Sequence, residues 1–201
     1  MDLRRALESR RMTRDFTDAP VAPEIIDDII GLASRSPSAG KTQGWSLLVL
    51  TDGSRDEFWD LSLPAAKREA FAWPGLLRAP VIALSFADPD AYVARYAEAD
   101  KAHTGLGAGV DRWGAPYWTI DASMATMALL LAAHDAGLGA LFFAVFNATD
   151  EIRRHFGVPE NLQLLGAVAL GWPNSVATSR RGVSSSRPRR GPSEIVHLNG
   201  W

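Results

Sequence analysis

Apolar and polar positions along the chain follow two rhythms, one of helical period and one of strand period. Leu3 and Leu7, with charged residues between them, predict a first helix over residues 2–9. Pro23 suits a first helical position, and Ile25, Ile26, Ile29, Ile30 and Ala33 then repeat at helical spacing. That second helix should end near Arg35, ahead of Pro37. Residues 45–51 read as a strand closed by the turn Asp52-Gly53, and Ser54 stands where it would cap a third helix through Phe58 and Trp59. Residues 80–86 form a near-continuous apolar run, the pattern of a strand covered on both faces.

Residues 90–102 are helical in pattern, and residues 103–117 form a loop punctuated by Gly105, Gly107, Gly109 and Gly114. A long helix follows over residues 118–136. It is rich in Ala, Met and Leu on most faces, which places it in a core or at a subunit interface. Gly137-Leu138-Gly139 ends it, and residues 140–146 are the next strand. Asn147 and Asp150 fit a capping pair for a helix ending at Gly157, and residues 164–170 make a last core strand. Beyond Pro173 the chain turns polar and basic. Strands separated by helices, with no internal repeat, predict a single α+β or α/β domain over residues 1–201.

Composition narrows the function classes. A chain of 201 residues suffices for one well-buried domain and not for two generous ones. A formal net charge of −2 offers no field to gather nucleic acid or an anionic membrane, so neither is an expected partner. The absence of cysteine excludes disulfides, thiolate metal sites and a thiol nucleophile, and it fits a reducing cytoplasm. Residues 1–14 lack the apolar segment of a signal peptide. The longest apolar stretch, residues 124–146, is broken by His134, Asp135, Gly137 and Gly139, short of the roughly 20 uninterrupted residues that a bilayer span needs. His103, His134, His155 and His197 show no ligand spacing, so no metal site is expected. Gly105-Leu106-Gly107-Ala108-Gly109 lacks the strand-turn-helix context of a dinucleotide fingerprint and reads as loop.

Arginines gather toward both ends of the chain, in Ser9-Arg10-Arg11-Met12-Thr13-Arg14-Asp15-Phe16 and in Ser186-Arg187-Pro188-Arg189-Arg190. Between them lies a loop of small residues, Ser36-Pro37-Ser38-Ala39-Gly40-Lys41-Thr42-Gln43-Gly44-Trp45. Guanidinium groups hold phosphate in a bidentate fork, and small residues let the backbone approach a flat ring. Together they make a receptor for a phosphorylated planar molecule. Each piece also has a plainer reading: a helix end favoured by its dipole, a helix-to-strand connection, a solvated basic tail.

In order and spacing these motifs resemble the nitroreductase family of flavin mononucleotide (FMN) enzymes. The family pattern opens with Arg-Arg-Ser-x-Arg-x-Phe at the end of a helix. Pro-Val-x-x-Glu follows, here Pro20-Val21-Ala22-Pro23-Glu24, and then the loop Ala-Pro-Ser-x-x-Asn-x-Gln-Pro-Trp. The resemblance covers almost the whole chain. It implies a mixed, mostly antiparallel sheet flanked by helices, and a homodimer intertwined about the long central helix.

The resemblance also implies roles for individual residues. Arg10 and Arg11 match positions that hold the FMN phosphate or ribityl chain, and Arg14 matches a cation that stabilises negative charge on the reduced ring. Met12 replaces the usual serine and removes a hydroxyl contact. Pro37, Ser38 and Ala39 lie on the loop beside the flavin, and Gln43 matches an amide near the ring. Lys41 stands in place of asparagine: either an added cation that raises the flavin potential or meets an acidic substrate, or a side chain in solvent. Gly44 replaces proline and loosens the strand entry. Ala144 and Val145 align with the pair whose backbone amide faces flavin N5, and Arg187 and Arg189 match a Lys-x-Arg pair that reaches back to the phosphate. Trp73, Trp113, Tyr117 and Trp118 fall where relatives line the substrate pocket.

The implied activity is ping-pong hydride transfer from NAD(P)H through flavin N5 to nitroaromatic or quinone-type acceptors, with no side-chain acid or base required. Three alternatives stay open. One is a flavin-binding protein with little turnover, another an oxygen-using or dehalogenating relative, and the third a cofactor-free interaction protein of the same fold.

Overall fold

The computed structural model describes residues 1–174 and 186–201. Its elements are α1 (Leu3–Ser9), α2 (Pro23–Ala33), β1 (Trp45–Thr51), α3 (Asp52–Ser62), α4 (Ala65–Arg68), β2 (Val81–Ala87), α5 (Pro89–Ala97), α6 (Tyr117–Asp135), β3 (Gly139–Phe143), α7 (Thr149–His155), β4 (Gln163–Gly171) and α8 (Pro192–Ile195). The four strands pair in the order β1-β2-β4-β3, and every ladder is antiparallel. This agrees with the mostly antiparallel sheet expected from the sequence. Among the described residues its parallel component is an isolated bridge between Met12 and Ala140.

Side chains alternate across this sheet and build a core on each face. Ile82, Leu84 and Phe86 of β2 join Ala167 and Ala169 of β4 under Phe58 and Trp59 of α3 and Ile152 of α7. Val81, Ala83, Val168 and Leu170 point the other way, under Ile26 and Ile29 of α2 and Leu129, Leu130 and Ala133 of α6. All seven residues of β2 are buried, as a strand covered on both faces should be. The result is an α+β fold, an antiparallel sheet flanked by helices.

Several expected boundaries move, each for a local reason. Thr51, not Ser54, is the N-cap of α3, because Asp52 turns the chain at φ 49° and the helix starts at once. Ala148, at φ 54°, does the same before α7, so Asn147 and Asp150 do not cap that helix. The strand expected over residues 140–146 stops at Phe143. There β4 bulges at Leu165, and at the adjacent Gly166 (φ 156°) a Cβ would sit 2.7 Å from the Phe143 carbonyl. Asp88 caps α5 by accepting from the amides of Asp90 and Ala91, and α5 ends at Ala97 rather than residue 102. The chain then folds into three 3-10 turns before α6.

The long helix α6 is not wholly covered in one chain. Ala125, Leu129 and Ala133 are buried, while Ile120, Met124 and Met127 retain 36 to 41% exposure along a single stripe. Among the described residues no helix is long and apolar enough to cross a membrane, and no cluster of His, Asp or Glu could hold a metal ion.

Candidate functional site

The first arginine cluster leaves α1 and runs beside the end of the sheet. The Thr13 amide donates to the Ala140 carbonyl (2.9 Å), Phe16 to Gly75 (3.1 Å) and Thr17 to Trp172 (2.9 Å). Asp15 pairs with Arg78, whose Nε donates to the Phe16 carbonyl at 2.8 Å. On this fixed segment the three arginines differ. Arg11 is exposed, and its Nη1 donates to the carbonyls of Glu8 (2.7 Å) and Arg10 (2.9 Å), closing the C-terminal end of α1. Arg14 is half-buried, with its guanidinium carbon 5.2 Å from the centre of the Trp73 ring.

Arg10 is the informative one. Its Nε and Nη1 are buried and have no hydrogen-bond partner among the described residues. Buried donors are nearly always satisfied, and an unpaired one costs about 1–3 kcal/mol, more when charged. A half-buried guanidinium with two unpaired donor nitrogens fits an anion such as the phosphate of FMN. Met12 and Trp73 border the same core cluster as Val145, just past the end of β3, and Ala144 beside it is exposed.

The small-residue loop lies elsewhere. It enters β1, one edge of the sheet, whereas Met12 bridges to β3, the opposite edge. Three inter-strand spacings of roughly 4.8 Å separate those edges, about 14 Å. An open cavity of about 520 Å³ lies against the loop, bordered by Arg35, Ser36, Pro37, Ser38, Lys41 and Gln43. Gly40 (φ 62°), Lys41 (φ 57°) and Gln43 (φ 57°) are all left-handed. For the two non-glycine residues that conformation costs on the order of 1–2 kcal/mol each, so the loop needs anchors.

Those anchors come from α5 and α6. The Asp121 Oδ2 accepts from the Ala39 amide (2.7 Å) and from the Tyr92 hydroxyl (2.7 Å). Within the loop, Ser38 Oγ accepts from the Gln43 amide (3.0 Å), and Thr42 Oγ1 donates to the Ala39 carbonyl (2.6 Å). Gly44 makes the approach possible: a Cβ there would lie 2.7 Å from the Tyr92 ring. Its small size seats Tyr92, where the sequence suggested a looser strand entry. Trp113, Tyr117 and Trp118 extend this group, since Tyr92 meets the Trp113 ring at 5.7 Å and the Trp118 ring at 6.4 Å. Tyr117 lies 5.7 Å from Trp113. Trp73 belongs with Arg14, so the four aromatic residues expected around one substrate pocket divide between two places.

Arg95 holds the loop from outside. Its Nε donates to the Gly40 carbonyl (2.9 Å), while Asp100 receives its two terminal nitrogens at 2.7 and 2.8 Å. The hydrogen bond from Arg95 pulls the Asp100 carboxyl down to about 2. Because the folded value lies below the ordinary carboxylate value of about 3.9, the pair's contribution is present above that value. It is lost as pH falls from there through about 2. An NMR titration should find this midpoint for Asp100, and Arg95→Gln should return it to the ordinary range.

No hydrogen bond, ion pair or ring contact joins the Arg10 group to the loop group among the described residues. Arg187 and Arg189 are exposed, with no recorded bond to either group, and Arg190 donates to the carbonyl of Glu194.

Against known families, residues 7–172 match the nitroreductase family. The chain belongs to that family. This nitroreductase-family chain is 28% identical over 204 residues to a Methanothermobacter thermautotrophicus protein provisionally named NADH dehydrogenase/NAD(P)H nitroreductase, covering 100% of the chain and 88% of the relative. It is 26% identical over 197 residues to the 5,6-dimethylbenzimidazole synthase of Rhodospirillum rubrum, covering 89% and 87%. A solved nitroreductase family protein of Streptococcus pneumoniae shares the fold, with a TM-score of 0.72 at 20% identity over 98% of this chain and 99% of that one.

Sequence reasoning missed Asp121, Tyr92 and Arg95. The available signal was Asp121 itself, one acid set among the apolar residues of α6.

Proposed function

We propose that this nitroreductase-family protein is an FMN-dependent NAD(P)H oxidoreductase acting on nitroaromatic or quinone-type acceptors. In this reading it is a cytoplasmic homodimer whose 201 residues form one domain. The observation that carries the reading is Arg10, whose Nε and Nη1 are buried without partners among the described residues, in the arginine motif of a chain of this family. Arg10 binds the phosphate, with Arg187 and Arg189 supplying further positive charge. Arg11 fixes the helix end from which Arg10 projects. Arg14 provides the cation that favours the reduced ring, and Met12 leaves that contact without a hydroxyl. Pro37, Ser38, Ala39, Lys41 and Gln43 border the ring on the loop side, and the amides of Ala144 and Val145 serve as donors. Hydride acceptance from NAD(P)H at N5, and its onward delivery, is the chemistry that bound FMN supplies.

Residues for one planar ligand divided between two sheet edges, beside an uncovered apolar stripe on α6, are what two copies sharing that ligand would each retain. Trp113, Tyr117 and Trp118, next to the loop, border the acceptor. Similarity to the Rhodospirillum rubrum 5,6-dimethylbenzimidazole synthase favours a second reading, a synthase of this family that does not reduce nitro compounds. Steady-state kinetics separates the two. Consumption of NADH or NADPH that rises with an added nitro compound supports the oxidoreductase, and a rate that ignores the nitro compound counts against it.

A further inference from the structure

We propose that Asp121 is the positioning residue of the loop over residues 37–43, holding it ready for the flavin before any ligand arrives. This rests on the reading that the loop borders FMN. Asp121 retains 6% exposure, and it is the acid that the apolar helix α6 carries inward. Its Oδ2 takes two short bonds at once, from the Ala39 amide and from the Tyr92 hydroxyl. Burial, and next the bond to Asp121, push the Tyr92 phenol above its ordinary range.

The other hydrogen bonds of the loop among the described residues lie within it, from Gln43 to Ser38, Lys41 to Ser38 and Thr42 to Ala39, or come from Arg95 to Gly40. Asp121 alone among these ties it to the long helix that spans the core. A small cavity of about 80 Å³ between Pro37, Ser38, Trp45, Tyr92, Asp121 and Ala125 leaves the loop room to relax inward if that tie is cut. Once it is cut, Lys41 and Gln43 can leave their left-handed conformations. The surface offered to a flat ring is then no longer pre-formed, and binding must reorder it.

The test uses the full chain with Asp121→Ala, Asp121→Asn, Tyr92→Phe and a control, Thr126→Val. Thr126 is buried on the same helix, donates to the Ala122 carbonyl at 2.8 Å and bonds Ser85 at 3.0 Å; it has no hydrogen bond to residues 37–43 and reaches Trp45 only through Ser85. Three quantities are read: amide exchange at Ala39 without ligand, the FMN dissociation constant by fluorescence quenching, and the unfolding midpoint. Asp121→Ala should speed exchange at Ala39 roughly 100-fold relative to wild type and weaken FMN about tenfold. Asp121→Asn keeps an oxygen acceptor and should fall between the two. Tyr92→Phe should leave Ala39 largely protected. Thr126→Val should lower the midpoint while leaving exchange at Ala39 and FMN affinity unchanged.

Unchanged exchange at Ala39 in Asp121→Ala overturns the proposal, as does FMN weakening that merely tracks the midpoint in the control. If Asp121→Ala does not fold, the Asp121→Asn and Tyr92→Phe pair decides by the same criteria. If wild-type protein takes up no FMN, it is the flavin reading that fails. Positioning of the loop then stands or falls on Ala39 exchange alone.

Discussion

Arg10→Met is expected to raise the unfolding temperature of the ligand-free protein and, at the same time, to abolish retention of FMN. The two signs have one cause. In the free chain, Nε and Nη1 of Arg10 are buried without partners among the described residues, a standing cost that methionine removes while keeping an unbranched stem of similar shape. Relief of about 1 kcal/mol would appear as a rise of roughly 2–4 °C in a domain of this size. On the proposed function, the same guanidinium meets a dianion in the complex. Losing bonds to a charged group, about 1.5–3 kcal/mol each, weakens FMN by roughly 100-fold or more. Thermal melts with and without FMN read both effects. A purely structural arginine would give a fall in both melts, which excludes the role assigned to it.

The largest expected loss of stability comes from Phe16→Ala, about 3–5 kcal/mol. Phe16 is fully buried in the core cluster that contains Leu76, Ala79 and Ile82, and it bridges Pro173 beyond β4. Its amide and carbonyl are both engaged, with Gly75 and Arg78. Removing the ring leaves a cavity and unpins the segment that carries Arg10 and Arg14, so FMN affinity should fall with stability. Urea unfolding measures the loss, and Phe16→Leu should recover much of it. A loss under about 1 kcal/mol would mean that this segment is not anchored through its phenylalanine.

The pattern of apolar residues carried most of the fold. The β2 run announced a strand buried on both faces, and the isoleucines of α2 announced its buried side. Capping was misread at Ser54 and Asn147. The chain turns instead at Asp52 and Ala148, which adopt left-handed backbone without being glycine, and composition gives no sign of that. Gly44 looked like slack and is a contact surface for Tyr92. The arginine motif and the loop were legible as separate motifs. Their division between opposite edges of the sheet was not, because spacing along a chain says nothing of which edge a strand occupies. Asp121 was hidden for a similar reason: one acid on a helix forms no motif until the loop across from it is in place.

The central claim is that the half-buried guanidinium of Arg10, at the end of α1, receives the phosphate of a flavin. Titrating the wild-type protein with FMN and with riboflavin, which has the same ring and no phosphate, tests it most directly. The account predicts that FMN binds roughly 100-fold more tightly than riboflavin, and that Arg10→Ala erases most of the difference. Equal affinity for the two ligands, or uptake of neither, would contradict it.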